Sequence, residues 1–293
     1  MHPYATIQLD LPPVGIKLLH GSFPGLEDIA LFQGVSYCQA IFGATFGMEL
    51  LVKPDSIRVC QWVPIVLGFK EPENDFERSI KEHLSTQTTG IYIAPLHLFQ
   101  KNIEPDVVII RTDPENYRAI IACLGWESFI DPSPYQQDVT GLHTFRMNPP
   151  RGFSAWAIRN INAWLAALNR FTLWHRFTAF LFRSTWVTKV FDWFISRYMA
   201  NMSMCRNSTV IPLQTGRANI SYFCTGGIAW GKNNPENMTS GFPAGIFKKI
   251  EPYLDYPGKL EHDPRLKDLE KIKERLLATA DKRGCTLKPT DGR

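Results

Sequence analysis

Apolar runs broken by proline and glycine dominate the first 125 residues. Val14-Gly-Ile-Lys-Leu-Leu19 follows the Pro12-Pro13 break and predicts a first strand. Val35 to Met48 is apolar with small residues and predicts a buried helix. Ile57 to Leu67 is β-branched and predicts a strand that bends, or lies at an edge, at Pro64. Phe76 to Leu84 is amphipathic and reads as a helix, and Gly90 to Leu98 as a strand.

The clearest unit is Pro105 to Leu124. Asp106-Val-Val-Ile-Ile-Arg111 is the short apolar run of a buried strand. Asp113 then offers an N-cap and Pro114 a first helical residue. Tyr117, Ile120, Ile121 and Leu124 recur with helical period, and Gly125 closes the helix. A strand followed by a helix predicts an α/β fold. The Thr112-Asp113-Pro114 turn is acidic and unsuited to cradling a phosphate.

Beyond a proline-rich loop at 131–150, residues 154–200 read as one or two long helices, and 218–231 as short β-like segments. The stretch from Asp263 to Arg283 predicts an amphipathic helix with Leu266, Leu269, Ile272, Leu276 and Leu277 on one face.

Two segments resemble each other. Ser36-Tyr-Cys38, Cys60 and Gly68-Phe-Lys-Glu-Pro72-Glu73-Asn74 recur in the same order as Ser203-Met-Cys205, Cys224 and Gly231-Lys-Asn-Asn-Pro235-Glu236-Asn237. The order predicts a duplicated α/β unit whose halves are related by a pseudo-two-fold axis, with equivalent residues facing one another. Such an axis would gather Cys38, Cys60, Cys205 and Cys224. Four thiolates suit zinc or an iron–sulfur cluster. The competing reading is four buried thiols packed as small apolar groups, since no Cys-x-x-Cys spacing is present. Cys123, on an apolar helix face, reads as core, and Cys285 as a bystander.

Other chemistry is sparser. The seven His form no His-x-x-x-His pair, and neither a Gly-x-Ser-x-Gly elbow nor a Walker pattern occurs. No motif names a reaction. Backbone amides at Gly226 and Gly227, with Arg217 and Asn219 nearby, form a candidate site for a carboxylate or phosphate, against an ordinary turn and edge strand.

Taken together, Pro13-Val-Gly-Ile-Lys-Leu-Leu19, Tyr37-Cys38-Gln-Ala40, the Pro105 to Pro114 unit, and Thr215-Gly-Arg217-Ala-Asn-Ile-Ser221 with Cys224-Thr-Gly-Gly227 resemble the uncharacterised prokaryotic domain-of-unknown-function family one-six-nine. The likeness spans about residues 12–125 and 203–250. It implies a cytosolic protein without an agreed activity, and it favours Cys38, Cys205 and Cys224 over Cys123 and Cys285 as site residues. Residues 151–200 depart from the family pattern as an insertion.

Charge sharpens that departure. The chain is net +4, yet residues 151–200 are net +6, leaving the rest at −2. The same fifty residues hold five of the eight Trp. Trp164, Trp174, Arg176, Phe180, Arg183, Trp186, Trp193 and Arg197 are candidate docking residues. Three uses compete: a basic helix in a membrane interface, an aromatic protein–protein anchor, or a helical subdomain filling its own core. Nucleic acid is not expected as a partner, because the whole-chain charge is small. The sequence is compatible with an oligomer.

The N-terminus lacks a basic start and an apolar run, and no uncharged apolar stretch reaches the ~18 residues of a spanning helix. The expectation is a cytoplasmic chain, soluble or held peripherally at the inner membrane face. Four Asn-x-Ser/Thr sequons then read as chance matches.

The expected architecture is therefore α/β: a pseudo-duplicated mixed-sheet unit with a helical, aromatic-rich insertion. Its parts are a first half at 1–150, the insertion at 151–202, a second half at 203–262, and a C-terminal helix and tail at 263–293. The leading functional expectation is a protein that binds a metal or iron–sulfur cofactor and docks to a membrane surface or larger complex. The alternatives are a non-catalytic scaffold whose 154–200 helices bind a partner, and a small-molecule enzyme with an anion site near Arg217–Gly227.

Overall fold

The computed structural model describes residues 6–21, 25–26, 28–34, 36–57, 64–65, 67–73, 78, 88–99, 103–130, 186, 206–221, 238–279 and 286–288. Among these, ten strands form a mixed α/β architecture. They are β1 (Ile7–Gln8), β2 (Val14–Leu19), β3 (Ala30–Gln33), β4 (Leu50–Val52), β5 (Gly90–Pro95), β6 (Val107–Thr112), β7 (Asn219–Ser221), β8 (Met238–Pro243), β9 (Leu254–Asp255) and β10 (Thr286–Lys288). Eight of them build one sheet in the order β10-β3-β4-β5-β2-β6-β8-β7, and β1 pairs with β9 apart from it. Only β3–β4 is a parallel pair within the large sheet. Five α-helices accompany the strands: α1 (Tyr37–Ala44), α2 (Pro114–Ile130), α3 (Ile211–Thr215), α4 (Ala244–Ile250) and α5 (Arg265–Thr279). A π-turn at Arg206–Val210 leads into α3.

Six contiguous strands, β4-β5-β2-β6-β8-β7, repeat. β2 and β6 pair antiparallel through Val14–Ile109, Gly15–Val108 and Ile16–Val107. A half-turn about an axis through the Gly15–Val108 pair therefore exchanges Val14 with Val107 and Ile16 with Ile109. The flanking registers obey the same operation. Val14 faces Pro95 as Val107 faces Pro243, and Leu19 faces Gly90 as Thr112 faces Met238. Leu50, Leu51 and Val52 face Ile93, Tyr92 and Ile91, as Asn219, Ile220 and Ser221 face Gly241, Ser240 and Thr239. The Leu96 amide donates to the Pro13 carbonyl at 2.8 Å, and the Ala244 amide donates to the Asp106 carbonyl at 3.2 Å. Gly47 (φ 86°) ends the turn into β4, as Gly216 (φ 65°) ends the turn into β7. Both occupy the left-handed region that closes a helix C-terminus. Each copy thus runs central strand, helix, outer strand, middle strand.

The repeat crosses the halves read from the sequence. Its second copy begins at β6, inside the segment 1–150, because α2 and residues 131–205 separate that strand from its helix. Counted back from the paired glycines, Cys38 is equivalent to Asn207, two residues beyond Cys205. The wider π-turn accounts for one residue of that difference.

Because a half-turn about a sheet normal keeps each face, α1 and the π-turn share one side. Their residues join Val14, Ile16, Val107 and Ile109 in the main core, with Leu50, Val52, Ile91 and Val210. The opposite face buries Val108, Ile110 and Phe242 under α2 and α4, and Tyr92, Ala94 and Leu51 beside Phe99.

Local expectations meet the structure unevenly. The Asp113 carboxylate accepts the Glu115 and Asn116 amides at 2.8 and 2.9 Å, as an N-cap does. The helix it starts continues through Gly125 to Ile130, despite a glycine penalty of about 1 kcal/mol. The outer strand of the first copy is Leu50–Val52. Ile57 makes only an isolated bridge to Gly34, and residues 58–63 lie outside the described set, as does most of 76–84. Cys123 is buried in the second core, as expected. On α5 only Leu269 and Leu276 are buried, a narrower stripe than five apolar positions suggested.

Asp263 fastens the start of α5. Its carboxylate, 3 % exposed, accepts the Arg265 amide at 2.9 Å, the Gly258 amide at 3.1 Å and the Arg265 guanidinium at 2.6 Å. Arg265 reaches on to Asp255 at 2.8 Å. The hydrogen bond from Arg265 is the main cause that holds the Asp263 carboxyl down to about 2, below its ordinary 3.8. A depressed carboxyl contributes stability that is complete above about pH 4 and lost as pH falls toward 2. Acid unfolding followed by circular dichroism should show this loss in the wild type and a flattened profile for Asp263→Asn over that window.

Candidate functional site

The two copies share backbone register but not chemistry. On the face beneath α1 and the π-turn, the first copy presents Leu18, Leu50, Ile91 and Ile93, backed by Met48 in the turn. Leu18, Met48, Leu50, Ile91 and Ile93 are all buried in the main core. The equivalent residues of the second copy are Arg111, Asn219, Thr239 and Gly241, with Arg217 in the turn. Val52 is replaced by Ser221 at the corresponding register position. Positions that carry only packing keep their character: Val14 and Val107, Ile16 and Ile109, Pro95 and Pro243, Phe99 and Phe247. Apolar residues give way to polar ones on the opposite face as well, where Leu19 and Tyr92 become Thr112 and Ser240, but only beneath α1 and the π-turn does the change bring in a buried charge, and a buried polar residue there costs stability that an aliphatic one supplies.

Arg111 is the centre of this layer. It is 5 % exposed, and its guanidinium carbon lies 5.1 Å from the centroid of the Phe42 ring on α1. Burial pushes the guanidinium down to about 10, so it stays charged at neutral pH. Its cross-strand neighbour Thr239 is fully buried, and the Thr239 hydroxyl has no hydrogen-bond partner among the described residues. A buried hydroxyl left in this way calls for an explanation. Arg111, Thr239 and Ser221 occupy one row across three neighbouring strands, which lie about 4.8 Å apart.

The π-turn closes over the next row. A Cβ on Gly241 would sit 1.8 Å from the Ser208 carbonyl oxygen, so only glycine allows the turn to rest on β8. Ser208 and Thr209 are buried there, and the Thr209 and Tyr37 hydroxyls are 3.2 Å apart, joining the turn to α1. π-turns of this kind are common at functional sites.

The residues singled out from the sequence are distributed as follows. Asn219 is buried in β7, in the row next to Arg111. Arg217 is half-buried in the turn before β7, at the opposite end of that strand from the Arg111 row. Gly226, Gly227, Cys60, Cys205 and Cys224 lie outside the described residues. Cys38 is buried on α1. Among the described residues no group of three or more His, Cys, Asp or Glu is placed to hold a metal. Of the docking candidates only Trp186 is described, and it is 72 % exposed. Trp164, Trp174, Arg176, Phe180, Arg183, Trp193 and Arg197 lie outside the described residues. Among the described residues no helix is long and apolar enough to cross a membrane.

Sequence reasoning missed Arg111 and Thr239. Arg111 read as the end of an apolar strand, and Thr239 fell in a stretch assigned no element. The signal becomes visible once each is set against its partner in the other copy, Leu18 and Ile91.

Residues 194–252 match the model of the DUF169 family, described as Uncharacterised ArCR, and over that stretch the chain is similar to the family. The match takes in the π-turn, α3, β7, β8 and α4, which carry Arg217, Asn219, Thr239 and Gly241. No curated protein and no solved structure matches the chain.

Proposed function

We propose that the chain binds a small anionic molecule in the polar layer of the second copy, against Arg111 and Thr239. The observation that supports this most is the replacement, at identical register, of buried aliphatic residues by a guanidinium, a hydroxyl and an amide. An anion beside the guanidinium that accepts from the Thr239 hydroxyl would satisfy a buried donor that has no partner among the described residues. The thiolate-centre reading has one of its four ligands, Cys38, among the described residues, and the docking reading has only Trp186. The anion site rests on Arg111 and Thr239, which face one another on neighbouring strands and are both buried.

The test is thermal unfolding of the full chain in acetate or inorganic phosphate, against chloride at the same ionic strength. Binding to the native state alone raises stability by an amount that grows with the logarithm of ligand excess. The expected result is a concentration-dependent rise in Tm for the wild type that Thr239→Ile lacks. Equal rises in both proteins, or none in either, would refute the proposal.

A further inference from the structure

We propose that the contact between His97 and Gly258 is a pH-sensitive latch for α5. The neutral imidazole holds the turn that starts the helix, and its protonation releases that turn. The latch is independent of the anion site.

Three observations lead there. The first is the packing of the ring. His97 lies in a short 3-10 turn, Leu96–Leu98, directly after β5. A Cβ on Gly258 would sit 2.3 Å from the His97 Cγ and 2.5 Å from its Nδ1, so the imidazole rests against the Gly258 backbone. Gly258 has φ 87°, and its turn is closed by the Lys259 amide donating to the Tyr256 carbonyl at 3.1 Å. The register equivalent of His97 in the second copy is Gly245, whose Cβ position meets nothing within 4 Å. The repeat itself therefore does not require the contact.

The second is what the turn holds. The Gly258 amide donates to the Asp263 carboxylate at 3.1 Å, and the same carboxylate accepts the Arg265 amide at 2.9 Å at the start of α5. A displaced Gly258 withdraws one of the donors that fix that start. Further along α5, Leu276 is buried in the main core.

The third is the state of the ring. The His97 Nδ1 is buried and has no hydrogen-bond partner among the described residues. A neutral imidazole with its proton on Nε2 leaves a bare lone pair there. Protonation places an N–H at the same point with no acceptor, and adds a charge beside the backbone of the turn. Of the charged groups acting on the ring, Asp263 attracts the proton and Lys273 on α5 repels it. Asp263 is paired with Arg265 at 2.6 Å and Lys273 with Glu270 at 3.2 Å. Lys259, next to Gly258, donates to the Glu251 carbonyl at 2.7 Å and to the Leu254 carbonyl. Burial outweighs these charges and holds the imidazole below its ordinary 6.5. A base depressed in this way contributes stability that is complete above about pH 6.5 and falls as pH drops below it, a window clear of the one set by Asp263.

The experiment is hydrogen exchange on the full chain at about pH 7.5 and about pH 5.5, expressed as protection factors so that the intrinsic pH dependence of exchange is removed. In the wild type, protection over Gly258 and α5 is expected to fall at least about threefold at the lower pH, while β2 and β6 keep theirs. His97→Phe keeps a ring against Gly258 and cannot take a proton, so its α5 protection should be the same at both values. His97→Gln gives the same comparison if the phenylalanine variant does not fold. An NMR titration of the His97 imidazole should place its midpoint below 6.5. Protection of α5 unchanged in the wild type, or falling equally in the His97 variants, overturns the proposal. So does an equal loss over β2 and β6, which would be global unfolding, and so does an imidazole midpoint above 6.5.

Discussion

Replacing Gly241 by alanine is expected to remove about 3 kcal/mol of stability, and replacing it by isoleucine to prevent folding. The alanine Cβ would lie 1.8 Å from the Ser208 carbonyl oxygen and 2.5 Å from its carbonyl carbon, both backbone atoms. No rotamer change relieves such a contact. Either the π-turn lifts from β8 or the strand moves away from β6 and β7. The first copy has Ile93 at the same register and holds it in the core, so the change copies one half of the protein into the other. Chemical denaturation measures the loss. A Gly241→Ala midpoint equal to that of the wild type would mean that the turn does not rest on the strand.

The same copying operation at Arg111 should have the opposite outcome. Arg111→Leu installs the residue that Leu18 provides in the first copy, on the same face and in the same register. Exchanging a buried charge for an aliphatic side chain is often neutral or stabilising, since the desolvation cost disappears with the charge. The contact with Phe42, about 0.5–2 kcal/mol as a cation–π pair, becomes an apolar contact. Stability is therefore expected to stay within about 1 kcal/mol of the wild type while anion binding falls at least about thirtyfold. Paired denaturation and binding curves would check it. A loss of more than about 3 kcal/mol with binding retained would mark Arg111 as a structural residue.

The contrast between these two positions shows how much of the protein the sequence made legible. Strand β6 was plain because six residues in a row suit a strand buried on both faces. The start of α2 was plain because Asp113 and Pro114 carry cap chemistry. β4 was overlooked: three residues before Lys53-Pro54 make too short a pattern to stand out. β8 was overlooked for a more instructive reason. Met238-Thr-Ser-Gly-Phe-Pro243 shows no alternation, because Ser240 interrupts the face of Met238 and Phe242 while Thr239 and Gly241 occupy the other. Polar and small residues on both faces erase the periodicity.

The duplication was visible and its frame was not. Cysteines and Pro-Glu-Asn motifs pointed to a duplication, but Cys38 is equivalent to Asn207 and not to Cys205, and the connections between the paired strands differ in length. Thirty-seven residues join β4 to β5, and sixteen join β7 to β8. Alignment by motif therefore drifts, whereas hydrogen-bonded register does not, because a slip of one residue would turn every side chain to the wrong face. Only with the Gly15–Val108 axis fixed does Leu18 identify Arg111, and Ile91 identify Thr239, as the exceptions. The candidate site is a comparison between halves, and neither half shows it alone.

The most direct test of this account is the denaturation midpoint of the wild type and of Arg111→Leu, each measured across a series of acetate concentrations. The account predicts that the wild-type midpoint climbs with acetate, while the variant begins at or near the same stability and stays flat. A variant that begins several kcal/mol lower, beside a wild type indifferent to acetate, would contradict it and return Arg111 to the role of a buried structural charge.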